Sequence, residues 1–96
     1  MSVPQEETLY TPSQKTMTMK VGDQRVFTLM LEQGEAIGSA YTLCTPEDVI
    51  LAVPTTDSTG DITVTVEGLI VGVTTLTVYD QSNNQAIGSL KVTVKE

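Results

Sequence analysis

Histidine and tryptophan are both absent from this 96-residue chain, and cysteine occurs once. Acyl-transfer, metal-hydrolase and general-base schemes most often use histidine, so its absence excludes every histidine-centred version of that chemistry. A single cysteine cannot form an intrachain disulfide, which excludes the disulfide-stapled design of many small secreted domains. The sequence therefore predicts a protein that is not an enzyme, needs no cofactor and acts by binding or by assembly.

The one thiol belongs to Cys44. A nucleophilic thiolate needs a base beside it, and no histidine is present to serve as that base. We therefore expect Cys44 to be a small, buried apolar residue.

Basic residues are also scarce, because five lysines and arginines face twelve aspartates and glutamates for a net charge of −7. Such a chain repels a phosphate backbone, so nucleic acid and anionic membranes are excluded as expected partners. No stretch approaches the ~20 apolar residues of a membrane helix, which argues against membrane insertion. The first residues have neither the basic start nor the apolar run of a signal peptide, so we expect a complete gene product that stays in a cytoplasm.

Apolar residues make up 40% of the chain and charged residues 18%, with threonine and valine recurring throughout. This composition is typical of half-buried pleated strands. The length allows one domain, and the apolar residues alternate with polar ones in seven short segments, spaced roughly as in β-sandwiches. The pattern predicts an all-β, immunoglobulin-like β-sandwich of about seven antiparallel strands in two sheets. The predicted strands are residues 16–21, 25–31, 39–44, 49–53, 62–67, 73–80 and 87–95.

Three details of this pattern are open to a structural check. Tyr41 and Leu43 are expected to point inward from the third strand. Pro46 ends that strand, and a short capped helix beginning at Thr45 is an alternative there. The last two strands are expected to form an antiparallel hairpin across the turn formers at 81–85.

The first fourteen residues show no sustained period, so the expected division is an extended arm, residues 1–14, followed by an immunoglobulin-like domain, residues 15–96. Tyr10 is the exposed aromatic candidate for an interface anchor in that arm. Met30 has the opposite parity to its apolar neighbours, and with Val26 it is expected to form a small exposed patch for a protein partner. Met17 and Met19 have the alternation expected of core residues.

A loop at Asp57–Asp61 contains two carboxylates. Paired carboxylates serve as acid and base in some hydrolases, but the chain has too few aromatic residues to hold a sugar. The same oxygens suit calcium, with Asp80 expected at the other end of the sandwich. Aspartate and glycine are also ordinary turn residues, so the loop predicts no catalytic or metal site and leaves calcium as an alternative.

Three short segments carry a family resemblance, at residues 19–23, 60–69 and 72–78, ahead of a closing strand at 92–94. They read MKVGD, GDITVTVEGL and GVTTLTV. Residues 19–94 thereby resemble the bacterial immunoglobulin-like domains of group 2, which occur in adhesins and in phage virion proteins. The tryptophan and serine-rich turn frequent in that family are replaced here by Tyr41 and the segment at 45–48.

The resemblance implies a fold without a shared catalytic site, so no functional residue transfers with it. A missing export signal, an acidic surface and an arm favour a phage virion decoration or cement subunit bound to a capsid or tail protein, located in the virion. The alternative is a spacer or adhesion module of a bacterial surface protein or carbohydrate-active enzyme, with neighbouring domains as partners. Homo-oligomers and surface carbohydrate remain possible partners in either case.

Overall fold

A computed structural model describes residues 9–96 as two four-stranded sheets packed face to face. Its strands are β1 (Leu9–Pro12), β2 (Thr16–Lys20), β3 (Gln24–Gln33), β4 (Ala40–Thr45), β5 (Ile50–Thr56), β6 (Ile62–Gly68), β7 (Gly72–Asp80) and β8 (Gln85–Lys95). The first sheet has the order β1-β3-β6-β5 and the second the order β2-β8-β7-β4. The expected all-β sandwich is confirmed, with eight strands instead of about seven. Within residues 9–96, no helix is long and apolar enough to cross a membrane.

The core follows from the alternation of the strands, whose inward side chains interdigitate between the sheets. Met17 and Met19 are buried on β2, as expected, and Leu90, Val92 and Val94 of β8 lie in the same core. The remaining buried apolar residues are Tyr10, Phe27, Leu29, Val49, Ile50, Ile62, Val64, Val66, Leu76 and Val78. The expected hairpin is also confirmed, because β7 pairs antiparallel with β8 along nine residue pairs.

One pair of strands is parallel, where all were expected to be antiparallel. β2 runs beside β8 in the same direction, with Thr16 opposite Lys91 and Lys20 opposite Lys95. The chain leaves the first sheet after β1 and joins the second sheet at β2, at the edge beside the last strand. Parallel neighbours need a long connection instead of a hairpin, and here the intervening domain is that connection.

The prediction of an extended arm over residues 1–14 is wrong for residues 9–12. Residues 9–12 form β1, which pairs antiparallel with the end of β3 from Leu9 opposite Gln33 to Pro12 opposite Leu29. Residues 1–8 of the predicted arm lie outside the described range. The sandwich thus begins before residue 15, and four residues of the expected arm are part of its first sheet.

The third expected strand is present with the opposite parity. Leu43 is 53% exposed and Tyr41 lies on the outer face, where its ring stacks on Tyr79 at 5.1 Å between centroids. Thr42 instead points toward the first sheet, and its hydroxyl donates a hydrogen bond to the Ala52 carbonyl at 3.4 Å. Residues 46–49 form a turn, so the alternative of a helix beginning at Thr45 is also wrong.

The two ends of the sandwich are formed by different parts of the chain. The N-terminal pole contains the start of β1 and the turns at 34–39, 57–61 and 81–84, because Leu9 pairs with the end of β3. The C-terminal pole contains the end of β8 and the turns at 21–23, 46–49 and 69–71, where Val21 N donates to Lys95 O at 2.9 Å. The strands of both sheets run between these two poles. Leu9 and Glu96 therefore lie at opposite poles of the domain.

Candidate functional site

The two carboxylates of the 57–61 loop accept hydrogen bonds that fix the shape and position of the loop. Asp57 Oδ1 accepts hydrogen bonds from Thr59 N at 2.9 Å and from Asp61 N at 3.2 Å, and it also accepts one from the Thr59 hydroxyl. Asp61 Oδ1 accepts a hydrogen bond from Leu31 N at 2.9 Å, which ties the loop to β3. This is the turn chemistry expected of aspartate next to glycine.

The Thr59 side-chain hydrogen bond lowers the pKa of the Asp57 carboxyl, and backbone N–H groups of the loop act in the same direction. A lowered pKa in the folded protein means that the loop is stabilised above the unfolded pKa and loses that stabilisation as the pH falls through the folded pKa. Thr59→Ala is therefore expected to raise the pKa of Asp57 toward its ordinary value. Carboxyl NMR titration measures this directly, and an Asp57 that titrates at or above the usual aspartate range in the unchanged protein contradicts the loop geometry.

Asp80 lies at the N-terminal pole with the 57–61 loop, whereas it was expected at the other end of the sandwich. Its Oδ1 accepts hydrogen bonds from the backbone N of Ser82 at 2.9 Å and from the Ser82 hydroxyl at 2.8 Å. In the described range 9–96, no three of the residues His, Cys, Asp or Glu come together as a group suited to a metal ion. The calcium alternative receives no support from this geometry.

Cys44 is partly buried on β4. Burial raises the pKa of its thiol, and the nearby Glu47 carboxylate raises it further. A catalytic cysteine needs a lowered pKa, so both effects oppose the formation of a nucleophilic thiolate.

Tyr10 is 5% exposed, so it belongs to the core and not to an exposed interface as expected. Its hydroxyl accepts a hydrogen bond from Ile37 N at 3.1 Å and lies 3.3 Å from the Gly60 carbonyl, to which it donates. One side chain therefore connects β1 with two turns of the N-terminal pole.

Val26 and Met30 are exposed on β3, at 59% and 40% respectively. They lie on the outer face of the first sheet, where the cross-strand neighbours of Val26 are Thr65 on β6 and, beyond it, Val53 on β5. We call this surface the first-sheet face. Its outward residues from Val26 to Met30 on β3 and their neighbours on β5 and β6 are uncharged, namely Val26, Thr28, Met30, Val53, Thr55, Thr63 and Thr65. Leu51 also points outward and lies directly opposite the outward Glu67. Leu51 and Val53 were not singled out from the sequence, although their strand was.

No protein-family model matches the chain, and a search of curated proteins finds no match either. Solved structures match it by fold. Domains 4 and 5 of the S-layer protein SbsC align with a TM-score of 0.73 at 16% identity, over 94% of this chain and 54% of that structure. The longer SbsC structure rSbsC(31-844) aligns with a TM-score of 0.71 at 17% identity, over 93% of this chain and 13% of that one. The Yersinia pseudotuberculosis adhesin InvE aligns with a TM-score of 0.60 at 18% identity, over 91% and 26%.

The fold is immunoglobulin-like. The neighbours are domains of bacterial surface proteins, two from an S-layer protein and one from an adhesin. The chain spans about half of the two-domain SbsC structure and smaller shares of the other two structures. The likeness is one of architecture, since identity in each case is below a fifth.

Proposed function

We propose that this domain is a non-enzymatic structural module of a bacterial cell-surface protein, of the group 2 bacterial immunoglobulin-like type. The observation that carries the proposal is the position of Leu9 and Glu96 at opposite poles of the sandwich. A domain inserted in a longer polypeptide then adds its full length to it, which is what a spacer requires. The surface-protein context of the structural neighbours supports the same function.

The path of the chain also suits a module that carries tension. A pull on the two ends loads β1 first, because β1 precedes β2 and is paired with β3. Once β1 is drawn away from β3, the pull draws β2 toward the N-terminal pole and β8 toward the C-terminal pole. Because β2 and β8 are parallel neighbours from Thr16 to Lys20, that pull slides one strand along the other. All hydrogen bonds of the pair are then loaded together, whereas a hairpin pulled open at its end breaks its bonds one at a time.

The proposal replaces the virion decoration subunit expected from the sequence, and the two are separated by location. Intact cells of the natural source are treated with a protease, and the envelope, soluble and dense-particle fractions are probed with an antibody against this domain. We expect the antigen in the envelope of untreated cells and its loss after protease treatment. Recovery in dense, nucleic-acid-filled particles would instead support the virion subunit and overturn the surface proposal.

A role in adhesion is supported by a separate observation, the uncharged middle of the first-sheet face in a chain with net charge −7. A side chain without charge loses little hydration when a partner covers it, and exposed apolar side chains gain from that burial. We therefore keep Val26 and Met30, joined by Leu51 and Val53, as a proposed contact surface for a protein partner, and we drop Tyr10.

A photoreactive amino acid at position 26 is expected to form a cross-linked product with a protein partner on intact cells. The control places the same group at Thr75, an exposed residue on the outer face of the second sheet. Gel mobility of the purified chain reports the product. Equal cross-linking from positions 26 and 75, or none from position 26, contradicts a contact at the first-sheet face.

A further inference from the structure

The positive charges of the chain are gathered on one side of the sandwich. The five basic residues are Lys15 immediately before β2, Lys20 at the end of β2, Arg25 at the start of β3, and Lys91 and Lys95 on β8. Because β2 and β8 are neighbours, the four lysines belong to a single pair of strands. The net charge of −7 is therefore an average over an unevenly charged surface.

The outer face of the second sheet, which we call the second-sheet face, has lysine as its one kind of charged residue. Its outward residues are Thr16, Thr18, Lys20, Tyr41, Leu43, Thr45, Val73, Thr75, Thr77, Tyr79, Ser89, Lys91, Thr93 and Lys95. Asp80 is the one acidic residue in these four strands, and it is buried.

The nearby C-terminal pole is acidic, and it limits which lysines remain unbalanced. Its acidic residues, in the turns and at the adjoining strand ends, are Asp23, Glu47, Asp48, Glu67 and Glu96. Asp23 and Glu96 border Lys20 and Lys95. Lys91 lies four residues before Lys95, about 13 Å away along the strand, whereas salt screens exposed charges beyond about 8 Å. The middle of the second-sheet face is thus positive in spite of the acidic pole.

The lysines are not neutralised by carboxylates of the chain itself. Among the residues that the structure describes, Arg25 pairs with Asp23 at 3.8 Å, and no lysine forms an ion pair. Lys20 lies directly opposite Lys95, and like charges in this position repel each other. Lys15 lies beside Lys91, whose backbone N donates to Lys15 O at 3.2 Å. We call these two pairs of lysines the lysine stripe, and a bound anion would relieve the repulsion within it.

The free edge of β2 beside the lysine stripe is closed to a partner strand. β2 is an edge strand, and an extended peptide would need its outward backbone groups. Thr16 O instead accepts a hydrogen bond from Gln14 Nε2 at 2.8 Å, and Lys20 N donates to Asp23 Oδ2 at 3.1 Å. Side chains of the chain itself therefore block addition of an acidic peptide as a further strand.

The second-sheet face also has the hydroxyl and aromatic groups that suit a sugar. Thr18 and Thr93 face each other midway between the two ends of the lysine stripe. Aromatic residues are few in the sequence, but the fold places two of the four, Tyr41 and Tyr79, side by side on this face with ring centroids 5.1 Å apart. A tyrosine offers an apolar ring to the C–H groups of a sugar and a hydroxyl for hydrogen bonding.

We propose that the second-sheet face binds a carboxylated polysaccharide, a chain of uronic acid sugars. Its carboxylates lie on the lysine stripe, and its sugar rings extend across the sheet toward Tyr41 and Tyr79. A polymer with one carboxylate per sugar carries widely spaced charges. A densely charged polymer such as nucleic acid is still repelled by the net charge of −7. The inference goes beyond the proposed function and concerns the sheet opposite the first-sheet face.

The test titrates the purified chain with polygalacturonate, by calorimetry and by amide chemical-shift mapping. We expect binding that weakens as salt is added, with shifts on β2, β7 and β8 and none on β3 or β6. Lys91→Gln is expected to weaken binding about two- to fivefold, the usual range for one exposed ion pair, and to leave the unfolding midpoint unchanged.

The matched control is the double variant Lys91→Gln, Glu67→Gln, which restores the net charge of −7 from the outer face of the first sheet. It is expected to bind as weakly as Lys91→Gln. Recovery of the original affinity would show that only net charge matters and would overturn the inference. Absence of binding to polygalacturonate would overturn it too, as would equal binding of neutral dextran.

Polyglutamate separates a sugar chain from an acidic protein segment. Tyr41→Ala is expected to weaken binding to polygalacturonate and to leave the weaker binding to polyglutamate unchanged. Polyglutamate that binds as tightly as polygalacturonate would assign the lysine stripe to an acidic protein and overturn the polysaccharide. All of these measurements use the purified chain, so their outcome is independent of the cellular location on which the proposed function depends.

Discussion

Tyr10→Ala is expected to lower the free energy of unfolding by about 3–5 kcal/mol, the usual cost of removing a buried aromatic side chain. The ring is 5% exposed within the core, and the substitution also removes the hydroxyl that links β1 to Ile37 and Gly60. Denaturant titration measures the change. Because small domains are stabilised by only about 5–15 kcal/mol, the variant is expected to be close to unfolding at room temperature.

Tyr10→Phe is the matched control, because it keeps the ring and removes only the hydroxyl. The expected loss is about 1 kcal/mol, the net value of a typical hydrogen bond. If residues 9–12 were the free arm expected from the sequence, both variants would have the stability of the unchanged chain. That result would contradict the placement of β1 in the first sheet.

Leu29→Ala is expected to destabilise the domain by about 2–5 kcal/mol, because this fully buried side chain fills the space between β3 and β8. Its partner in this space is Gly88, where an added Cβ would lie 2.5 Å from Leu29 Cδ2. Gly88→Ala alone is expected to cost about 1–3 kcal/mol through overpacking.

The double variant Leu29→Ala, Gly88→Ala tests the contact itself. The added methyl group enters the cavity left by the leucine, so the combined loss is expected to be smaller than the sum of the two single losses by about 1 kcal/mol. Thermal unfolding of the four proteins of the cycle gives the coupling. Strict additivity would show that Gly88 and Leu29 do not face each other across the core.

The strands that the sequence predicts well are those with a buried face and strict alternation. In β6, Ile62, Val64 and Val66 are all fully buried, and a threonine separates each from the next, so pattern and packing agree. The same agreement holds for β7 and β8, and with them for the hairpin. Local alternation is sufficient there because every second side chain enters the core.

The sequence fails where tertiary contacts override the local pattern. β1 has four residues, of which only Tyr10 is buried, and these are too few to show a period. The burial of Tyr10 depends on two turns distant in sequence, to which its hydroxyl is hydrogen-bonded. β4 lies at an edge of the second sheet, where Leu43 is exposed and Tyr41 stacks on Tyr79 of the next strand. The inner face of an edge strand is only weakly buried. Hydrophobicity alone therefore does not determine which alternate side chains of such a strand point into the core.

The candidate surfaces were only partly predictable. Val26 and Met30 were found because their parity opposes that of Phe27 and Leu29 on the same strand. The exposed apolar turn at 69–71 was not singled out, although it lies between the predicted strands 62–67 and 73–80. Three consecutive apolar residues flanked by Gly68 and Gly72 are the signal that marks the turn.

Single-molecule force measurement tests most directly whether this domain is built to carry tension between its poles. The chain, held between handles at its two ends, is compared with the same chain held at positions 72 and 95, which opens the β7–β8 hairpin from its end. At one pulling speed, the account predicts a higher unfolding force between the two ends, because that geometry shears β2 against β8. An equal or lower force between the ends would contradict the load-bearing role.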